Sequence, residues 1–258
     1  MKLKFIKNIL KKWYRTVPYY NTNLELDALN ISCFIQDWLG ATDYEKVSLG
    51  ENCNTSWYLK ETQNKTASYP FDWVFSSPDI VLHAVKDSFK IFLDKEVIIP
   101  KSTNQAGHEI YHSYLFNHRN PLNSEADFSY YKRSIERFKM LLESDCPILF
   151  VCTVIQEYDK RPRWKQGFKK SFSLPKTQTL SQFTELISFI KKKHSDVKFV
   201  FVNQYSSRKP HIELDSFNSD YIWINYFAKG KNDGVKYLHP FDDMLIKIIY
   251  KGFSNEKA

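Results

Sequence analysis

The chain has 258 residues, 43% of them hydrophobic and 16% aromatic, with a formal net charge of +8. That is enough apolar material for a substantial core and excludes a disordered chain, while the longest apolar run, Pro147 to Ile155, is far shorter than the ~18–20 residues that span a bilayer. Six bases (Lys2, Lys4, Lys7, Lys11, Lys12, Arg15) and no acid lie in the first fifteen residues, so most of the excess charge is local. Lysine outnumbers arginine 30 to 7, whereas base-reading sites favour the arginine fork, and no nucleic-acid partner is expected.

Leu3, Ile6, Leu10 and Trp13 recur at helical spacing with lysines on the other face, which predicts a basic amphipathic helix. Such a helix suits either an anionic membrane surface or a solvated arm on its own domain. Its apolar residues are interrupted by lysines, so it does not read as a signal peptide. After Pro18, residues 25–39 predict a helix. Strands are then expected at Val47–Gly50, Phe71–Phe75, Ile148–Ile155, Val197–Asn203 and Tyr221–Phe227, with Ile110–Phe116 extended. Helices are expected at Asn54–Lys60, Asp79–Phe89, Phe128–Leu142, Leu180–Lys193 and Asp243–Tyr250. Asp159–Lys176 reads as a long basic loop at a strand end. Strands separated by helices imply an α/β fold with a mostly parallel sheet flanked by helices, doubly wound in the SGNH-like or Rossmann-like manner. The expected organisation is a basic N-terminal helical arm over 1–29, one α/β domain over 30–254 and a tail over 255–258.

Cys33, Cys53, Cys146 and Cys152 form no C-x-x-C pair, which argues against a zinc knuckle and for a reducing compartment. The sharpest local signal is Ser48-Leu49-Gly50-Glu51-Asn52-Cys53, a strand that turns at a glycine and delivers a cysteine to the start of a helix. Backbone N–H groups there lower a thiol pKa and can hold an oxyanion, so Cys53 is the candidate nucleophile and the amides of Cys53 and Asn54 the candidate oxyanion donors.

The run SLGENC, then Leu59-Lys60, Ser68-Tyr69-Pro70-Phe71-Asp72-Trp73-Val74, Leu115-Phe116-Asn117-His118, the Tyr131–Leu142 helix and the Ile148–Cys152 strand resemble a bacterial family of unknown function described as papain-like cysteine peptidases. The resemblance covers roughly residues 45–155. It implies a thiol nucleophile at Cys53 and a base at His118, with Asp72 as the candidate carboxylate that orients the imidazole. Asp72 precedes the histidine, whereas papain-like enzymes place their orienting residue after it.

Two other arrangements compete. His108-Glu109-Ile110-Tyr111-His112 matches H-E-x-x-H, and His118 stands where a third zinc ligand would fall; this zinc metallopeptidase alternative needs a helix and a turn glycine where Leu115 stands. His239, in Leu238-His239-Pro240 before the last helix, is the substitute base, placed as in SGNH-type hydrolases. With no P-loop and no G-x-G-x-x-G, nucleotide-phosphate cradles of those kinds are not expected.

The sequence therefore predicts a thiol-dependent hydrolase or acyltransferase with no cofactor and no metal, acting on a peptide, acyl or glycan-linked substrate. The expected location is cytoplasmic, peripheral to the inner face of the membrane through residues 1–15. A noncatalytic, membrane-peripheral accessory protein of envelope biosynthesis is the alternative from a different class.

Overall fold

In the computed structural model, residues 19–156, 162–207 and 209–254 are described. The expected basic helix over 1–15 and the tail over 255–258 lie outside them. Asn21 caps the first helix, α1 (Thr22–Leu39), its side chain accepting from the amides of Asn23 and Leu24. Leu24, Ala28, Ile31, Ile35 and Leu39 recur every three or four residues and are buried as one stripe. The boundary expected after residue 29 therefore falls inside a helix that already belongs to the domain core.

The sheet consists of β1 (Glu45–Ser48), β4 (Ile148–Ile155), β5 (Val197–Ser206), β7 (Tyr221–Ala228) and β6 (His211–Phe217), in that spatial order. The first four are parallel and β6 closes the edge antiparallel to β7. All eight residues of β4 are buried, as expected of a strand covered on both faces. Its alternate side chains enter two cores. Phe150 and Cys152 face the layer of α3 (Pro78–Lys86), α4 (Glu125–Glu143) and α6 (Thr184–Lys193), while Leu149 and Val151 face α1, α2 (Asn54–Glu61) and α7 (Pro240–Lys251).

The mostly parallel sheet between helical layers agrees with the expected class. Among the parallel strands, however, chain order and spatial order coincide, so there is no reversal of the kind that opens the crevice of a doubly wound sheet. The cavity described below forms instead beyond the carboxyl ends of β1 and β4, under the β7–α7 connection.

Three local expectations are corrected. Phe71–Phe75 forms turns, not a strand: Asp72 Oδ2 accepts the Tyr69 amide at 2.7 Å and curls the chain on itself. Ile110–Phe116 is likewise bent, because His108 Nδ1 accepts the amides of Ile110 and Tyr111 (3.2 and 3.3 Å) and the His108 amide donates to the His112 carbonyl (2.9 Å). The hairpin β2 (Ile98–Ser102) and β3 (Gln105–His108), and strand β6, were not expected. Of these, β6 buries only Ile212 fully and is otherwise half-buried or exposed, which gives it a weak hydrophobic signature.

Candidate functional site

Strand β1 ends at Ser48, and the chain turns through Leu49, Gly50, Glu51 and Asn52 to place Cys53 as the N-cap of α2. Gly50 is required here: its φ is +90°, and a Cβ would lie 1.9 Å from Ser76 Oγ. The turn is held from three sides. Ser76 Oγ donates to the Leu49 carbonyl (2.9 Å), Thr55 Oγ1 donates to the Gly50 carbonyl (3.0 Å), and Glu51 Oε2 accepts the Ile155 amide at the end of β4 (3.1 Å).

Cys53 and His118 line one cavity of about 270 Å³. Asn52, Phe75 and Asn117 form part of its wall, Ile155 and Trp164 another, and Asn232 to Val235 of the β7–α7 connection complete it. His118 is delivered by a segment anchored on the β2–β3 hairpin: Phe116 pairs with Ala106 through both backbone bonds, and Gln105 Nε2 donates to the Asn117 carbonyl. Trp164 falls in the short helix α5 (Pro162–Lys165), inside the expected basic loop. No hydrogen bond joins Cys53 to a histidine among the described residues.

The electrostatics differ from the expected activated thiolate. Burial pushes the Cys53 thiol up to about 12, with Asp72 and Asp233 adding to the rise and the residue's own backbone amide opposing it. Only 2% of the residue is exposed, and desolvation outweighs the pull of an eight-residue helix. His118 is shifted the other way. Its partial burial, together with the neighbouring Arg119 guanidinium, lowers the imidazole pKa below its ordinary value. Both shifts favour the uncharged forms, a thiol and a neutral imidazole lining the same cavity.

Asp72 is fully buried and makes no hydrogen bond to His118. Its Oδ2 is occupied by the Lys65 ammonium and the Tyr69 amide. Burial raises its pKa, with Lys65 opposing. The flanking residues of this motif divide their work: Phe71 packs on Phe89, Phe92 and Phe138, while the Trp73 ring meets His118 edge-on.

The Asn54 amide, expected as an oxyanion donor, is already donated to Asn52 Oδ1 at 3.0 Å. A different donor faces the problem of having no acceptor. Asn232, 4% exposed in the cavity wall, uses Oδ1 to accept the Gly234 amide (2.7 Å), and its Nδ2 is buried without a hydrogen-bond partner. Asn232 and Asp233 were not singled out as site residues from sequence; the readable sign was the Asn-Asp-Gly turn before the last helix, where Gly234 adopts a φ of +93°.

His239 does not line this cavity. It caps α7, accepting the Phe241 amide at Nδ1 (3.3 Å), and packs against Tyr19 with ring centroids 4.7 Å apart. His108 and His112 are both buried with their ring nitrogens engaged by the backbone. Nε2 of each meets a carbonyl, of Ile91 at 3.0 Å and of Trp164 at 2.7 Å, and Nδ1 of each accepts amide hydrogens. They terminate a strand and a turn rather than sharing a helix face, so the geometry of the zinc alternative is not formed. Among the described residues no group of three or more His, Cys, Asp or Glu side chains is arranged to hold a metal ion.

The segment that builds the Cys53 turn, the Trp73 and His118 loops and β4 decides the family comparison. Residues 44–163 match the model of the family described as "Putative papain-like cysteine peptidase". The matched segment carries Cys53, Asp72 and His118, whereas Asn232, Asp233 and His239 lie beyond it. No curated protein and no solved structure matches the chain. No helix among the described residues is long and apolar enough to cross a membrane.

Proposed function

We propose that this protein is a cysteine hydrolase or acyltransferase in which Cys53 is the nucleophile and neutral His118 the general base. The observation that carries this reading is the convergence of the two side chains on one cavity at the start of a helix, within a segment matching a cysteine peptidase family.

A thiol held near 12 is a poor nucleophile until its proton is taken as the S–C bond forms, and an imidazole with a lowered pKa is ready to take it at neutral pH. Attack of Sγ on a substrate carbonyl transfers the thiol proton to His118 and places negative charge on the carbonyl oxygen. Asn232 Nδ2, lacking a partner in the resting cavity, supplies a donor for that oxygen. Collapse expels the leaving group, which takes the proton from His118, and leaves an acyl-Cys53 thioester. Water or a second acceptor, deprotonated by His118, then releases the acyl group. Asp233 lies on the cavity wall, where its carboxylate adds to the rise of the Cys53 thiol pKa and helps keep the thiol protonated until attack. Asp72 supports the Lys65–Tyr69 turn, which sets Trp73 beside His118.

The test uses p-nitrophenyl acetate as a generic acyl donor and intact mass with peptide mapping as the readout. An acetyl group on Cys53, lost in Cys53→Ala and formed ~10²–10⁴-fold more slowly in His118→Ala, supports the reading. An undiminished rate in His118→Ala, or acylation of the other thiols with none on Cys53, overturns it.

A further inference from the structure

Beside the cavity, on the far side of Trp73, lies a wider concave groove of about 830 Å³. Five cations line it (Lys60, Lys65, Arg119, Arg133 and Arg137) and no carboxylate does. The arginines are informative. The chain is poor in arginine, yet three of its seven arginines, Arg119, Arg133 and Arg137, line this one groove.

The placement follows from the fold. Tyr130, Arg133 and Arg137 are spaced three and four residues apart on α4 and form one stripe, while Lys60 stands in the last turn of α2, where a cation is favoured. Lys65 and Arg119 are paired with Asp72 and Asp127, neither of which lines the groove, and the Arg119 guanidinium lies 3.9 Å from the Tyr130 ring centroid. Among the described residues Lys60, Arg133 and Arg137 have no carboxylate partner; Arg137 donates to the Ser68 carbonyl. Trp73 and Tyr130 supply flat aromatic wall.

We infer that this groove binds the phosphate groups of a small phosphate ester or diphosphate, whose other end passes Trp73 into the Cys53 cavity. Planar guanidinium forks match phosphate oxygens two at a time, a concave wall of this size admits a small molecule, and aromatic faces suit the ring of a sugar or base. That the bound molecule is the acyl donor of Cys53 rests on the reading above; the phosphate site does not.

Calorimetric titration of the full chain with inorganic pyrophosphate tests the site. Saturable binding with a Kd below about 1 mM is expected, weakened by added salt. Lys60→Ala/Arg133→Ala, two exposed positions whose loss leaves the core intact, should weaken it about tenfold or more, with circular dichroism confirming the fold. Cys53→Ser should bind as the parent does, so a dead thiol and an absent phosphate site give different results. No pyrophosphate binding, equal binding by the double variant, or loss of binding in Cys53→Ser overturns the assignment. Tighter binding of a single-stranded oligonucleotide through the same residues also overturns it. Proximity to the cavity has its own readout: the NMR titration midpoint of His118, which faces Arg119 and shares its cavity with Asp233, should rise when pyrophosphate is bound. An unmoved midpoint overturns the shared ligand.

Discussion

The indole of Trp73 meets the imidazole of His118 edge-on, with ring centroids 6.4 Å apart and planes at 84°. The indole lines the cationic groove and its ring meets His118, which lines the Cys53 cavity, so this one contact links the two concavities. It also helps exclude water from the imidazole, whose pKa is lowered first by burial and then by Arg119. On the proposed mechanism the neutral imidazole is the working form, so the acid limb of the acylation profile should fall below pH 6.5. Arg119→Gln and Trp73→Ala should each move that limb upward toward 6.5, measured as the pH dependence of the p-nitrophenyl acetate acylation rate. A limb that stays in place in both variants contradicts the assignment of His118.

Asn232→Ala removes a donor that has no partner in the resting structure. The fold loses only the bond from Gly234, worth about 1 kcal/mol. Acylation should nevertheless drop ~10²–10³-fold, the scale of a lost oxyanion donor. Urea melts of the variant beside its acylation rate separate the two effects.

Alkylation should not begin at Cys53. Cys33 and Cys146 are exposed, while Cys53 and Cys152 are buried with raised pKa values. Iodoacetamide at neutral pH should therefore label Cys33 and Cys146 first, and labelling of Cys53 should climb about tenfold per pH unit while the fold persists, since its thiolate accumulates only near 12. Peptide mapping of timed aliquots gives the order.

The Lys65–Asp72 pair is enclosed, and removing one member leaves a buried charge. Lys65→Met should cost about 3–5 kcal/mol, and pairing it with Asp72→Asn should restore much of that loss. Because burial raises the Asp72 pKa above its unfolded value, its contribution favours the fold at acid pH and diminishes as pH rises through the folded pKa. In Lys65→Met that pKa rises further, so the variant's deficit should shrink on acidification, which denaturant melts across pH will show.

Gly50→Ala should be among the most damaging small substitutions. Positive φ and the approach of Ser76 Oγ both oppose a Cβ, and a loss of about 2 kcal/mol or more is expected in denaturant melts.

Periodicity made the layered architecture legible because the strands of the central sheet are long, apolar and β-branched, and the amphipathic helices carry plain caps: Ser77 with Pro78, Ser124, His239 with Pro240. The placement of Cys53 at the start of a helix was legible for a different reason, since a glycine turn between a strand and a helix leaves little freedom in where the next residues fall. The remainder depended on distance along the chain. Asn232 joins Cys53 in the wall of one cavity only after β4, β5 and β7 have assembled, and no local pattern announces a donor whose partner is missing. The H-E-x-x-H run stayed open as an alternative because residue spacing cannot distinguish a helix face from a turn in which the histidine itself accepts the amides that follow it. Nothing local marks Arg133 and Arg137, because the opposite wall of their groove comes from α2 and the 65–73 turn, far away in sequence.

Asn54 Nδ2 donates to the Val235 carbonyl at 3.0 Å, across 181 positions of sequence. That bond ties the loop bearing Asn232 to the helix that begins at Cys53, so two walls of the cavity far apart in sequence are joined directly. On the proposed mechanism the nucleophile and the oxyanion donor therefore sit on segments bonded to each other, although 179 positions of sequence separate Cys53 from Asn232.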